Sequence, residues 1–147
     1  MFEMNIKIVD PMLHDNNIDS VLLNFLNSIG YMPRVDPQRD FRRAIKSVPY
    51  RLFKECFLLR PDREWSVEEL IAYLNTTRTT LYRHLNKLKS MDILDERQEG
   101  MNKLYRLKYG NLERAWVFVE ANVKLAMENY RKMVEHISHL AGGEKVE

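Results

Sequence analysis

The sequence is poor in the residues from which disulfides, thiolate metal sites and phosphate-binding loops are built. Its single cysteine, Cys56, excludes an internal disulfide and a zinc site made of clustered cysteines. Five glycines are present, but they form no G-x-G-x-x-G or G-K-[ST] string, so no phosphate-binding loop is predicted. We therefore predict a protein that is not an enzyme and that needs no cofactor.

Long apolar runs are also absent. The longest uninterrupted one covers residues 115–119, whereas a membrane-spanning helix needs about 20 apolar residues. Residues 1–5 have neither the basic nor the apolar part of a signal peptide, so we expect a cytoplasmic protein. With 147 residues, 45% of them hydrophobic and 30% charged, the composition is typical of one globular domain or of a small domain with a helical arm.

The charge is nearly balanced overall but unevenly distributed. The chain has 23 basic and 21 acidic residues, a net charge of +2. Residues 76–109 alone hold eight basic and four acidic side chains, a net charge of +4. A local basic stretch in a balanced chain indicates a nucleic-acid partner and directs attention to the motifs inside it.

The first 46 residues are predicted to be a helical extension. Residues 1–10 alternate weakly and fit either a short edge strand or a frayed tail. Apolar residues at helical spacing predict a helix that begins after a cap at Asn16 or Asn17 and stops at Gly30.

Two further helices are predicted where a capping residue stands just before a proline. Asp36-Pro37 predicts a helix to about Lys46, and Ser47-Val48-Pro49 predicts another that ends before Pro61. In the helix that begins near Pro49, the residues expected to face inward are Leu52, Phe53, Cys56 and Leu59. The helix predicted from Pro37 carries a basic row on one side, which we interpret as a solvated surface with salt bridges. Contact with DNA is the alternative for this row, which consists of Arg39, Arg42, Arg43 and Lys46.

Two short helices and a hairpin follow. Ser66 and Glu69 have the spacing of a capping box, which predicts a helix to about Leu74. A second helix begins after the polar residues 75–77, and two helices joined in this way form a helix-turn-helix. The apolar stripe of this second helix is Leu81, Leu85 and Leu88. Extended segments on either side of Gly100, at 93–97 and 103–107, predict a β-hairpin with the glycine at its tip.

The opposite face of the second helix has the side chains of a DNA-recognition helix. Arginine pairs with guanine and asparagine with adenine, and a threonine methyl group can contact thymine. Threonine and lysine can bind phosphate oxygens. A merely solvated helix face is the alternative. The DNA-binding residues predicted on this helix are Thr77, Arg78, Thr79, Tyr82, Arg83, Asn86 and Lys87. The hairpin adds a predicted wing with Arg97, Asn102 and Lys103, although Glu96 and Glu99 near its tip oppose phosphate.

The C-terminal segment, 110–147, has the most regular pattern in the chain. Nine apolar residues are spaced alternately four and three apart and predict one helix of about 29 residues, roughly 43 Å long. They are Leu112, Trp116, Val119, Val123, Ala126, Tyr130, Met133, Ile137 and Leu140. Because this length exceeds what a small domain covers, we predict a homodimer interface here. The alternative is an intramolecular seam against the helix at 17–29, and both can hold in a shared bundle. Residues after Gly142-Gly143 are predicted to fray.

The same segments carry a family resemblance. The stretch 76–88 is T-T-R-T-T-L-Y-R-H-L-N-K-L, followed by I-L at 93–94 and E-G-M-N-K-L-Y-R-L at 99–107. Over about residues 47–140 the chain resembles the winged helix-turn-helix of ArsR-type transcriptional regulators, most specifically in R-H-L and Y-R-L. The resemblance implies a dimeric repressor or activator whose terminal helices form the dimer interface. Asp92 departs from the family pattern, in which glycine usually precedes the wing.

Many ArsR-type proteins release DNA on binding a metal, so the resemblance raises that question here. The family's thiol site needs cysteines in the first helix of the helix-turn-helix, and residues 67–74 contain none. His136 and His139 match half of another family site, but Val123 and Leu125 stand where its remaining ligands belong. We therefore predict no metal site, and we interpret Cys56 as a small core residue.

Together these patterns predict a mainly α protein with a small β-hairpin wing. Its parts are an N-terminal helical extension at 1–46, a winged helix-turn-helix at 47–109 and a dimerisation helix at 110–147. The predicted function is that of a homodimeric, sequence-specific regulator that binds double-stranded DNA. The alternative, motivated by the modest excess of positive charge, is a winged-helix adaptor that binds other proteins.

Overall fold

The computed structural model describes residues 1–145. Over these residues the helices are α1 (Ile18–Ser28), α2 (Phe41–Ala44), α3 (Val48–Arg51), α4 (Val67–Leu74), α5 (Arg78–Ser90) and α6 (Leu112–Gly142). The strands are β1 (Trp65–Ser66), β2 (Leu94–Glu99) and β3 (Asn102–Leu107). Val146 and Glu147, which belong to the predicted frayed end of segment 110–147, lie outside the described residues.

The N-terminal arm, residues 1–17, precedes α1 without forming a helix or a strand, so the predicted edge strand is wrong. The arm is nevertheless held: the backbone N–H of Glu3 donates to the carbonyl of Ser90 at 2.8 Å. The side chain of Asn5 packs against Gly30, whose φ of +87° ends α1 as predicted. Asn17 is the N-cap, because its side chain accepts the N–H of Ser20.

The helix predicted from Pro37 to about Lys46 is wrong for its first half. Residues 37–40 form turns, since the Asp36 carboxylate accepts the backbone N–H groups of Gln38 and Arg39 and holds a local turn instead. Only the four residues of α2 are helical.

The third helix begins where predicted, with Pro49 in its first turn, but it changes type. After α3 the chain continues as a π-helical segment over Leu52–Leu58, with a bond of the i→i+5 type from the N–H of Leu59 to the carbonyl of Lys54. Because such bonds widen the turn, the ordinary helical period no longer holds. Leu59, predicted to face inward, is therefore 56% exposed, whereas Cys56 is buried as predicted.

The helices α4 and α5 confirm the predictions for this region. The capping box is formed, with Ser66 accepting the N–H of Glu69 and the Glu69 carboxylate accepting the N–H of Ser66. α4 ends at Asn75, whose left-handed conformation turns the chain. Thr77 then caps α5, its hydroxyl accepting the N–H of Thr80 at 3.2 Å.

The predicted hairpin β2–β3 is present and belongs to a three-stranded antiparallel sheet of order β1-β3-β2. The strand β1, which the sequence did not indicate, aligns Trp65 with Tyr105. The buried Trp65 also donates its indole N–H to the carbonyl of Cys56 at 2.9 Å. The fold class, mainly α with a small sheet, is confirmed at this level.

One hydrophobic core joins all three predicted parts of the chain. Leu23 and Leu26 of α1, Phe53 of the π-helical segment and Leu81 of α5 are completely buried in it. Ala115 near the start of α6 is buried in the same core. The N-terminal extension is thus packed against α5 and the base of α6, which fixes its position relative to both.

Candidate nucleic-acid interface

The helix α5 has a fully buried side and an exposed polar side. Its apolar stripe, Leu81, Leu85 and Leu88, has no exposed surface. The predicted contact residues on the other side that are exposed are Thr77, Arg78, Thr79, Arg83 and Asn86, while Tyr82 and Lys87 are half-buried. The helix is therefore anchored by its core contacts, and its polar side is fixed in position relative to the rest of the fold.

Arg83 and Asn86 are at the centre of this exposed side. Within residues 1–145, neither side chain makes an ion pair or a hydrogen bond to another residue. Both therefore retain their full hydrogen-bonding capacity for a ligand: five N–H donors for the guanidinium, and two N–H donors and a carbonyl acceptor for the amide. This is the arrangement that bidentate pairing with base edges requires.

The two residues at the start of α5 are already engaged. Arg78 forms an ion pair with Glu68 of α4. The hydroxyl of Thr77 caps the helix and bonds to that of Thr80 at 3.0 Å. Sequence reasoning missed Glu68, which lies ten residues away and is adjacent to Arg78 only because α4 and α5 pack together.

Lys87 lies at the edge of the exposed side and is engaged as well. Its ammonium donates to the carbonyl of Tyr31 at 3.4 Å. The Tyr31 ring meets His84, one turn earlier on the same edge, at a centroid distance of 6.3 Å. Burial, together with the nearby charges of Arg83 and Lys87, lowers the pKa of His84 to about 4, so this imidazole is neutral near pH 7.

The predicted wing residues are also neutralised by acids. Arg97 forms ion pairs with Glu64 at 2.8 Å and Glu99 at 3.1 Å, and Lys103 pairs with Glu96 at 3.2 Å. The hydrogen bond from Arg97 lowers the pKa of Glu64, which keeps that carboxylate ionised. Asn102, the remaining predicted wing residue, is exposed at the start of β3.

Glu96 and Glu64 carry negative charge that neutralises Lys103 and Arg97 of the hairpin. Glu96 also binds Lys89 of α5, and hydrogen bonds from Lys89 and Lys103 lower its pKa. Glu64 is 33 residues away from Arg97 in the chain and had no sequence signal, because only the pairing of β1 with β3 brings its neighbourhood to the hairpin.

The predicted stripe on α6 divides into two parts. In the proximal half, residues 112–126, Val119 is buried and Trp116 stacks edge-on against Phe25 of α1 at 5.3 Å. This is the intramolecular seam that the sequence left as an alternative. In the distal half, residues 127–142, the side chains are exposed, including the predicted interface residues Tyr130, Met133, Ile137 and Leu140.

An open apolar groove of about 900 Å³ lies beside the proximal half of α6. The N-terminal arm, α1 and α6 form its walls. Among its lining residues are Met4, Val9, Ile18, Phe25, Trp116 and Val123. The groove and the distal stripe are thus two apolar surfaces on the same helix.

Asp92 lies in the turn between α5 and β2, and its side chain binds α6. Asp92 has a φ of +57°, the left-handed conformation for which glycine is the ordinary residue. Its carboxylate accepts the side-chain N–H of Asn122 of α6 at 2.9 Å. This bond ties the turn before the hairpin to α6.

Three further findings concern metal ligands, membrane-spanning helices and the cysteine among residues 1–145. They contain no group of three or more His, Cys, Asp or Glu side chains that could hold a metal, and none of their helices is both long and apolar enough to cross a membrane. Burial raises the pKa of the Cys56 thiol to about 12, so the thiolate is scarce near pH 7.

Comparison of the chain with protein-family models, with curated proteins and with solved structures finds no match.

Proposed function

We propose that this protein is a sequence-specific transcriptional regulator that binds double-stranded DNA as a homodimer. In this proposal α4 and α5 form a winged helix-turn-helix, residues 77–90 enter the major groove, and the hairpin at 93–107 is the wing. The resemblance to ArsR-type regulators supports the same assignment. The protein would catalyse no reaction, and its effect on transcription would follow from occupancy of its site.

The observation that carries the proposal is the unpaired state of Arg83 and Asn86. Most basic side chains around them are bound to acids, yet these two project from a helix whose other side is fully buried. A fixed helix with a free guanidinium and a free amide fits the major groove, where arginine pairs with guanine and asparagine with adenine. The exposed Thr79 adds a methyl group that can contact thymine.

The homodimer is supported by the two apolar surfaces of α6. The distal half extends about 24 Å and leaves Met133 and Ile137 more than half exposed, which is costly in water. The groove beside the proximal half is apolar and is present on the same chain. Two copies can therefore place the distal half of each α6 against the other copy's groove in a closed, two-fold arrangement.

A second candidate function is favoured by the ion pairs. With Arg78, Arg97 and Lys103 neutralised by acids, the surface has less free positive charge than strong duplex binding usually needs. An adaptor would use α6 and the N-terminal extension to bind another protein. This candidate predicts a monomer that does not bind DNA.

The test is fluorescence anisotropy with a generic labelled duplex at salt concentrations from about 50 to 200 mM. The slope of log affinity against log salt counts neutralised phosphates at about 0.9 per contact, whatever the operator. Binding with a steep negative slope, by a protein that sediments as a dimer, supports the regulator. A monomer with no binding at the lowest salt overturns it in favour of the adaptor.

A further inference from the structure

The two long edges of the exposed side of α5 are bordered by different parts of the chain. Lys89 and Lys87 are two residues apart, about 200° of rotation, so they lie on opposite edges. Lys89 binds Glu96 of the hairpin, whereas Lys87 binds the carbonyl of Tyr31. The side chain of Arg83 lies between these edges. The N-terminal extension therefore flanks α5 opposite the hairpin.

The segment that follows Tyr31 is held in place by hydrogen bonds. The N–H groups of Tyr31 and Met32 donate to the carbonyl of Leu26. The side-chain amide of Asn27 donates to the carbonyls of Met32 and Val35 at 3.0 and 2.7 Å. These bonds hold the loop 31–35 against the end of α1.

Arg34 stands at the corner of this loop. The N–H of Val35 donates to the carbonyl of Met32 at 3.4 Å, which closes a β-turn with Pro33 and Arg34 as its central residues. Three residues of chain span at most about 11 Å, so Arg34 is close to Tyr31 and to the edge of α5 that Tyr31 borders. Its side chain is exposed and forms no ion pair within residues 1–145.

The residues after Arg34 continue the positive charge. Residues 34–46 hold five basic and two acidic side chains, a net charge of +3 in 13 residues, which is denser than in 76–109. Asp40 forms ion pairs with Arg39 and Arg43 and so neutralises part of this charge. Arg42 and Lys46 are exposed and, like Arg34, have no acidic partner in the described part of the chain.

The hairpin side and the extension side of α5 thus differ in how many basic side chains lack an acidic partner among residues 1–145. On the hairpin side, Arg97, Lys103 and Lys89 are all bound to glutamates, and Arg106, which has no acidic partner among residues 1–145, is half-buried. On the extension side the cations of 34–46 outnumber the acids, and Arg34 is held on a tight turn. A helix in a major groove about 12 Å wide has a phosphate backbone on each side of it. Free cations beside the helix are positioned to meet one of these backbones.

We propose that the basic segment 34–46, with Arg34 nearest to α5, is a second DNA-contacting element that binds the phosphate backbone across the groove from the hairpin. This inference rests on the proposed function, since it assumes that α5 binds duplex DNA. It assigns the main phosphate contacts to the N-terminal extension, not to the wing. Such contacts position α5 without distinguishing sequences.

The experiment compares Arg34→Ala with the wild-type protein by anisotropy on generic duplexes over the same salt range. We expect the slope to become less steep by about 0.9, with equal weakening on every duplex sequence. The matched control is Arg114→Ala, which removes an exposed arginine from the first turn of α6, outside the proposed dimer interface. Arg34→Lys keeps the charge and should restore most of the slope. Circular dichroism and the thermal midpoint verify that each variant is folded.

The outcomes separate the two proposals. If the wild-type protein fails to bind any duplex, the proposed function is wrong and this inference is wrong with it. If the wild-type protein binds with a steep slope and Arg34→Ala behaves as Arg114→Ala does, the proposed function stands and the phosphate-contacting role of the extension is overturned. A slope reduced by Arg34→Ala and restored by Arg34→Lys supports the inference.

Discussion

The exposed side of α5 and the distal half of α6 are both helix surfaces turned toward solvent, but they differ in chemistry. α5 presents Arg83 and Asn86 with no partner, on a helix whose apolar side is completely buried. Distal α6 presents Met133 and Ile137, which are both more than half exposed. A free polar surface on a fixed helix fits a polar ligand, whereas a regular apolar stripe fits another apolar surface. Exposure alone therefore does not identify a partner, whereas the chemistry of the exposed atoms does.

The largest expected effect comes from making distal α6 polar. Met133→Glu with Ile137→Glu should convert the dimer to a monomer, because two carboxylates in an apolar interface are strongly unfavourable. Loss of the second binding module should weaken affinity for a duplex with two half-sites by about 100-fold. Sedimentation velocity measures the first effect and anisotropy the second.

Val117→Glu is the matched control for this pair. Val117 is an exposed apolar residue of α6 that lies outside the predicted stripe, so its replacement should leave the dimer intact. If the double variant still sediments as a dimer, distal α6 does not form the dimer interface.

The next effect is expected at the polar surface. Arg83→Ala should cost about 1–3 kcal/mol on the preferred sequence and relax the preference at one base position, because a bidentate contact is lost. Lys87→Ala should weaken binding to all sequences about equally and by less, since its ammonium is bound to Tyr31. Competition assays with single-base variants of the operator distinguish these patterns. Unchanged specificity in Arg83→Ala would show that this side of α5 does not contact bases.

A smaller effect concerns the pH dependence of stability at the edge of α5. The pKa of His84 is about 4 in the folded protein, below its ordinary value of 6.5. The unfolded chain therefore binds the proton first, and the stabilising contribution, fully present above pH 6.5, is lost as the pH falls toward 4. Urea midpoints between pH 7 and pH 4.5 should fall less steeply in His84→Gln than in the wild-type protein. His14→Gln, a change at an exposed turn residue, should retain the wild-type slope.

The smallest effect is expected at the hairpin. Glu64→Gln removes the main acidic partner of Arg97 and leaves Glu99. Exposed ion pairs are weak, at about 0–1 kcal/mol, so freeing this guanidinium should tighten DNA binding only about two- to threefold on all sequences. Anisotropy at low salt measures the change. Weaker binding in this variant would show that the pair positions the hairpin for its contacts.

The local structure around α5 could be predicted from the sequence because its signals are local. The capping box at Ser66 and Glu69, the cap at Thr77 and the leucine spacing each involve residues within one or two turns. The heptads likewise predicted α6, although they could not distinguish its buried half from its exposed half. That distinction depends on where the core ends, which no spacing encodes.

The features that were missed depend on contacts between distant segments. Trp65 forms β1 only because β3 lies beside it, and the partners of Arg78 and Arg97 come from α4 and from the residue before β1. Charge counting treated the basic residues of 76–109 as free. It also gave no reason to select Arg34, which becomes notable only because its turn packs beside α5.

The central claim is that two copies of α5 occupy successive major grooves. Selection of binding sites by the full-length protein from a pool of random duplexes tests it most directly. The account predicts enrichment of an inverted repeat whose half-sites are separated by about one helical turn, roughly 10 base pairs, with the enrichment lost in Arg83→Ala. Recovery of no preferred sequence from a pool that the protein binds, or of no bound duplex at all, would contradict it.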